Sequence, residues 1–311
     1  MGNFCKYVNI FSHMEEKHIF VFDRGENKIF QEKVFGEKIL LYLYEKNNFI
    51  RCFCRSLVSK LSLISWLFGA WQKLPFTKRK VNPFIVKYKI DKTEFAKTTF
   101  SSFNDFFIRE LKKESRLLAS SDIIVPADGR YLAYQDFAQC KRLYVKGEKF
   151  SLYKLLGNDQ KLADRYANGT LVIARLAPPD YHRFHFPLDC TASKPKLLNG
   201  PLFSVNPIAL RTNIDYLTQN KRSIIHLRSK LYGEVICLAV GATNVGSMHF
   251  TYLENQLYKK GEEMGYFSFG GSMLIYLFEP GKIQIASDIV KYSSEGTEVL
   301  CKMGQPLTGL L

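Results

Sequence analysis

No apolar run in these 311 residues reaches the roughly 20 positions that a helix needs to span a bilayer. The best candidate, Leu61 to Gln72 (LSLISWLFGAWQ), is too short, so any contact with a membrane is expected to be peripheral. Paired CxxC spacing is also missing. Seven cysteines without it point away from a zinc site or redox pair and toward free thiols in a reducing compartment. The opening MGNFCKYVNIF has no basic stretch leading into a long apolar one, and Lys6 stands where a myristoylation signal carries Ser or Thr. Neither a cleaved signal nor a lipid anchor is expected. No internal repeat or low-complexity linker breaks the chain.

Acidic residues are absent between Glu45 and Asp91, where Arg51, Arg55, Lys60, Lys73, Lys78, Arg79 and Lys80 surround Trp66 and Trp71. Cations flanking tryptophan and leucine suit a helix lying at headgroup depth. The alternative is an amphipathic helix packed on the protein, with its Lys and Arg solvated. The whole chain carries 44 Lys and Arg against 29 Asp and Glu, a net +15. That balance favours an anionic partner, but charge alone does not choose among a nucleic acid, an acidic lipid surface and a charged substrate.

With 46% hydrophobic and 14% aromatic residues, there is material for one sizeable core or two small ones. The first 45 residues suggest a hairpin turning at Gly25 and a helix over 34–44. The pattern from about Glu37 to Lys113 is mostly helical, with Ser102 or Asn104 as caps for FNDFFIREL. After Ser120, short β-branched and aromatic runs alternate with turns at Asp128-Gly129, Asn168-Gly169, Asn199-Gly200 and Pro280-Gly281. The expected class is α+β: a largely helical, membrane-associating N-terminal region (1–117) packed on a β-rich catalytic domain (118–311).

Three groups of residues have the chemistry for a site. APPDYHRFHFP sets His182 and His185 three apart, on opposite sides of a strand or convergent in a tight loop. They fit acid/base work, a metal pair or plain backbone-satisfied histidines; no third ligand appears at a familiar spacing, so no metal is expected. VPADGR places Asp128 in a turn, where a carboxylate either shapes the turn or orients a histidine. GYFSFGGSMLIYLF sets Gly270, Gly271 and Ser272 just before an apolar strand, as either a bulge or a peptide open to attack.

Taken in order, PADG at Asp128, DYHRFH, FSVNP at 203–207, VGATNVGS at 240–247 and KGEEMGYFSFGGS at 260–272 resemble the phosphatidylserine decarboxylases. FNDFFIREL and RGENKIFQEKVFGEK, which is similar to the bacterial members, extend the resemblance over nearly the whole chain. Two departures stand out: Met273 follows the serine where the family has Thr or Ser, and Leu117 replaces a proline. The Gly-Ser bond is retained, so processing is expected, and Leu117 is expected to touch only local packing.

The resemblance implies that His185, oriented by Asp128, activates Ser272 to cut the Gly271–Ser272 bond and become a pyruvoyl group. The large chain would be 1–271 and the small chain 272–311, held together as a heterodimer. The pyruvoyl cofactor would form a Schiff base with phosphatidylserine, with His182 as the acid that protonates the decarboxylated carbon; the product is phosphatidylethanolamine. It also implies a peripheral place on the cytoplasmic face of the cell membrane and no nucleic-acid partner, and leaves a homo-oligomer open. The competing reading is a Ser-His-Asp lipid hydrolase, against which Ser272 lacks a GxSxG elbow.

Overall fold

The β-branched and aromatic runs become the strands of one large sheet. The structure, a computed structural model, describes residues 18–44, 67, 69–138, 144–145, 148–242, 248–270 and 272–309. Gly271, most of VGATNVGS, Trp66 and the basic residues from Arg51 to Lys60 lie outside the described residues.

In chain order the strands used below are β1 (Phe20–Asp23), β2 (Lys28–Gln31), β3 (Gly129–Tyr134), β4 (Thr170–Leu176), β5 (Arg183–His185), β6 (Cys190–Ala192) and β7 (Lys196–Leu198). They continue with β8 (Arg222–Ser229), β9 (Gly233–Gly241), β10 (Met248–Phe250), β11 (Leu257–Tyr258), β12 (Glu263–Phe267), β13 (Ser272–Phe278) and β14 (Glu298–Cys301). Among the described residues, eleven strands form the main sheet in the order β11-β6-β8-β9-β13-β4-β3-β14-β1-β2, with β7 also on β8. A smaller sheet runs β10-β12-β5. The helices needed here are α1 (Glu37–Tyr44), α2 (Val81–Tyr88), α3 (Phe103–Phe107) and α4 (Ser287–Glu295). The α+β class holds, and the sheet outweighs the helices.

The central strands are buried on both faces, and alternation divides their side chains between two cores. Ile173, Leu238, Met273, Ile275 and Leu277 face one core, against which α1 packs through Leu40, Leu43 and Tyr44. Val172, Ala239, Leu274, Tyr276 and Phe278 face the other, shared with Phe184, Met264 and Phe267 of the small sheet and Ile289 of α4. Met273 is therefore a core residue, 1% exposed, whereas Leu117 is 81% exposed.

The hairpin at Gly25 forms because the Asp23 carboxylate accepts from the Gly25 and Glu26 amides (2.9 and 3.1 Å) and Asn27 turns at φ 50°. Its first strand runs parallel to β14, pairing Val21 with Glu298, so the N-terminal region contributes strands to the same sheet as the downstream residues. Ser102 caps α3 by accepting from the Asp105 amide. A third cluster joins α2 and α3 through Phe84, Phe103, Phe106 and Phe107, and takes in Phe269 from the segment before Ser272.

Candidate active site

Ser272 opens β13, opposite Leu176 of β4 and Gly241 of β9. Its alternation puts its side chain on the face of Leu274 and Tyr276, the face covered by the small sheet that carries His185. The hydroxyl is fully buried and has no hydrogen-bond partner. A buried orphan of this kind costs about 1–3 kcal/mol and asks for a chemical explanation. Just upstream, Gly270 has φ 143°, a conformation that other residues rarely adopt.

Asp128 reaches the same end of the sheet because Gly129 pairs with Cys301 and lies beside β4. A Cβ at 129 would stand 2.9 Å from the Arg175 carbonyl oxygen, which explains the glycine after the aspartate. The Asp128 carboxylate is almost closed in: Arg116 donates Nε to Oδ1 (2.9 Å) and Nη2 to Oδ2 (2.5 Å), and the Met303 amide donates to Oδ1 (2.8 Å).

The two histidines part company. His185 ends β5, its amide donating to the Pro126 carbonyl (2.8 Å), and its ring stacks on Tyr181. Its Nδ1 has no partner. Burial lowers its pKa to about 4, against the pull of Glu263, the Pro126 carbonyl and Asp128. His182 is fully buried with its ring centroid 3.8 Å from that of Phe107, and its Nδ1 lies 3.0 Å from the Asp180 carbonyl. A carbonyl only accepts, so Nδ1 carries the proton and Nε2, unpartnered, is a lone-pair site. Burial takes its pKa to about 3. Both imidazoles are neutral at neutral pH, the form that a base requires. The carboxylate of Asp128 bonds to Arg116 and Met303, and its influence on His185 is electrostatic.

Charged residues that no local motif singled out fix the histidine loop. Arg109, 3% exposed, donates Nη2 to the Pro179 and Asp180 carbonyls (3.0 and 3.1 Å). Arg130 pairs with the Asp180 carboxylate and, at 2.6 Å, with Glu32. Glu32 also pairs with Arg175 (2.8 Å), which pairs in turn with Glu298 (2.5 Å). This buried chain of charges locks the N-terminal hairpin to β3, β4 and β14. Arg109, Arg130, Asp180 and Glu32 lie inside FNDFFIREL, VPADGR, DYHRFH and RGENKIFQEKVFGEK, but the Glu32 partnerships span more than 90 residues and no local spacing announces them.

A cavity of about 260 Å³ lies at the rim of the sheet beside these groups. Leu40, Leu43 and Tyr44 of α1 line one side; Leu176, Phe269 and Gly270 line the side next to Ser272. Mostly apolar walls with a few polar groups among them suit an amphipathic ligand. Among the described residues no group of His, Cys, Asp and Glu is placed to hold a metal ion.

Comparison with known proteins identifies the family. The family model described as phosphatidylserine decarboxylase matches residues 103–309, from α3 through β14. Proteins named phosphatidylserine decarboxylase proenzyme are similar over almost their full length. One from Chlamydia caviae is 45% identical over 289 residues, covering 92% of this chain and 96% of its own. One from Chlamydia pneumoniae is 44% identical over 289 residues, with 92% and 95% covered. A third, from Chlamydia trachomatis serovar D, is 40% identical over 298 residues, with 94% and 98% covered. With a family model matched over residues 103–309 and relatives 40–45% identical over more than nine-tenths of the chain, the chain belongs to the phosphatidylserine decarboxylase family.

Proposed function

We propose that the chain is a proenzyme that cuts itself between Gly271 and Ser272 and then converts phosphatidylserine to phosphatidylethanolamine. The observation that carries this is the Ser272 hydroxyl, buried without a partner at the first position of β13. In a hydrolase the nucleophile stands exposed on a sharp turn, open to an external ester. Ser272 is instead enclosed between two strands, where the acyl group within reach is that of its own preceding residue.

A serine hydroxyl attacks only when a base takes its proton, and His185, kept neutral by burial, is the candidate for that base. Oγ forms an ester with the Gly271 carbonyl carbon as the peptide C–N bond breaks, and the proton passes to the released amine. Removal of the Cα proton then expels the Gly271 carboxylate from Cβ. The resulting enamine takes up water and loses ammonia, leaving a pyruvoyl group at residue 272. The residues fit that group, since a small polar atom with no protein partner already occupies the place. Its carbonyl supplies the electron sink for loss of carbon dioxide. His182 Nε2, a lone-pair site in the tautomer fixed by the Asp180 carbonyl, would be the site that relays a solvent proton to the carbon that has lost carbon dioxide. The cavity beside Gly270 receives the lipid, with the acyl portion against α1 and the headgroup toward Ser272.

The lipid is met at a membrane surface. Trp71, Leu74 and Phe76 are exposed next to Lys73, Lys78, Arg79 and Lys80, with the Lys80 Nζ 3.7 Å from the Trp71 ring centroid. Among the described residues no helix is long and apolar enough to cross a membrane. The exposed cations and aromatic rings support our reading of a peripheral seat on the anionic cytoplasmic leaflet, with each cation contributing about 1 kcal/mol near the surface. Flotation with vesicles containing phosphatidylserine should be lost in Lys78→Glu/Arg79→Glu/Lys80→Glu; equal flotation would remove this surface from the reading.

The deciding experiment is the intact mass of the denatured protein beside Ser272→Ala. Two pieces divided at 271/272, the smaller beginning with pyruvoyl, and an uncut variant are expected. A wild-type chain that stays whole would overturn the proposal.

A further inference from the structure

Asp128 is the group on which the self-cleaving arrangement turns, yet its strongest partner is an arginine. Arg116 meets it as a two-pronged fork, with the Nε and Nη2 bonds described above, and is itself held by its Nη1 on the Ser115 carbonyl (2.7 Å) and by Nη2 on Glu94 (2.9 Å). Lys302 closes the chain on the other Glu94 oxygen at 3.1 Å. Bidentate geometry of this kind fixes orientation as well as charge.

A carboxylate offers about four lone-pair positions. Three are taken at Asp128: two on Oδ1, by Arg116 and the Met303 amide, and one on Oδ2, by Arg116. One position on Oδ2 is left, and nearby His185 has an Nδ1 that lacks a partner. The Pro126 carbonyl, two residues before Asp128, holds the His185 backbone at 2.8 Å, so the two side chains start from adjoining points. The unused acceptor and the unused ring nitrogen are complementary.

We propose that Arg116 is a positioning residue for self-cleavage: its fork aims the free Oδ2 position of Asp128 at His185. This rests on the reading of Asp128, His185 and Ser272 as the processing machinery. Removing a cation from beside the Asp128–His185 pair raises the proton affinity of the imidazole, so His185 loses its proton at higher pH. His185 is also faced by Glu263, Arg183 and the Tyr181 ring, and Asp128 by Arg109, Asp180, Tyr131 and Tyr181, all of them left in place by the variants below.

The test is a chase of freshly translated full-length chain in buffers across the pH range, with the cut fraction read on a denaturing gel. In Arg116→Gln, cleavage should slow at least about tenfold and the acid limb of its pH profile should move up by about one unit. Arg116→Lys keeps the charge and loses the fork; its limb should stay in place while its rate falls between the two. Glu94→Gln removes an opposing charge from the partly exposed outer end of the same chain, and its limb should move down. A mere packing role gives no such opposite signs. Wild-type limbs in both Arg116→Gln and Glu94→Gln, or in Glu94→Gln alone should Arg116→Gln not fold, would overturn the proposal. A wild-type chain that does not cut at all sinks the processing reading itself, which the first lane of the same gel reveals.

Discussion

Met303 donates its amide to the Asp128 carboxylate at 2.8 Å, and this bond joins residues on opposite sides of the proposed cut. Downstream of Ser272 the chain is deeply embedded. β13 lies between β9 and β4, β14 between β3 and β1, and α4 packs its Ile289 into the core below. Cleavage at 271/272 therefore removes one covalent bond and leaves two strands paired on both sides. Residues 1–271 and 272–311 are expected to elute as one species on native size exclusion and to separate only in denaturant. Loss of the small piece on native elution would show that strand pairing does not suffice.

The two histidines should fail differently. His185→Asn removes the base and should slow self-cleavage by about 10²- to 10⁴-fold. His182→Asn should leave the chain cut, while decarboxylation of phosphatidylserine vesicles by the cut protein falls by a comparable factor. A gel for cutting and a carbon dioxide assay for turnover separate the two roles. Uncut His182→Asn protein would reverse the assignment.

How much of this was legible in advance depended on range. His182, His185, Asp128 and Ser272 stood out because each lies in a short motif, and the hairpin at Gly25 because Asp23 and Asn27 are local turn formers. What could not be read were pairings between distant segments. Nothing near Val21 says that it will lie parallel to Glu298, and nothing near Glu32 names Arg130 and Arg175 as partners. The same holds for Arg116, whose place on Asp128 depends on how the chain from α3 turns back over the sheet. Helix extents were overread because FNDFFIREL carries helical periodicity throughout, while tertiary contacts of Ile108 and Arg109 end α3 at Phe107.

Burial of the histidines should also appear as acid sensitivity of the fold. Both pKa values are depressed, to about 3 and about 4 from 6.5, so the unfolded chain binds more protons than the folded one between those limits. Their contribution is complete above about pH 6.5 and is lost as pH falls toward 4, at up to about 1.4 kcal/mol per unit for each. Asp180, raised by burial, acts in the opposite sense. The difference between Ser272→Ala and Ser272→Ala/His182→Asn isolates one histidine: urea unfolding of the double variant should show the shallower pH slope. Equal slopes would mean that His182 is protonated in the fold.

The ionic chain behind the site makes the last expectation the most quantitative. Glu32 is 8% exposed and forms ion pairs with two guanidinium groups, Arg130 at 2.6 Å and Arg175 at 2.8 Å. Burial opposes its charge, but the two arginines outweigh it and hold its carboxyl below the usual range. Glu32→Ala leaves both cations short of a partner in a dry setting, where breaking one side of such a pair costs about 3–5 kcal/mol. Each kcal/mol moves the melting midpoint of a protein this size by roughly 1.5 °C, so a fall of roughly 5–8 °C is expected. Glu32→Gln keeps one acceptor and should lose less. Because Glu32 also lines the cavity, the variant should turn over lipid poorly even where it is folded and cut. A midpoint within a degree or two of wild type would mean that water screens the arginines and that the hairpin is held by its strand pairing alone.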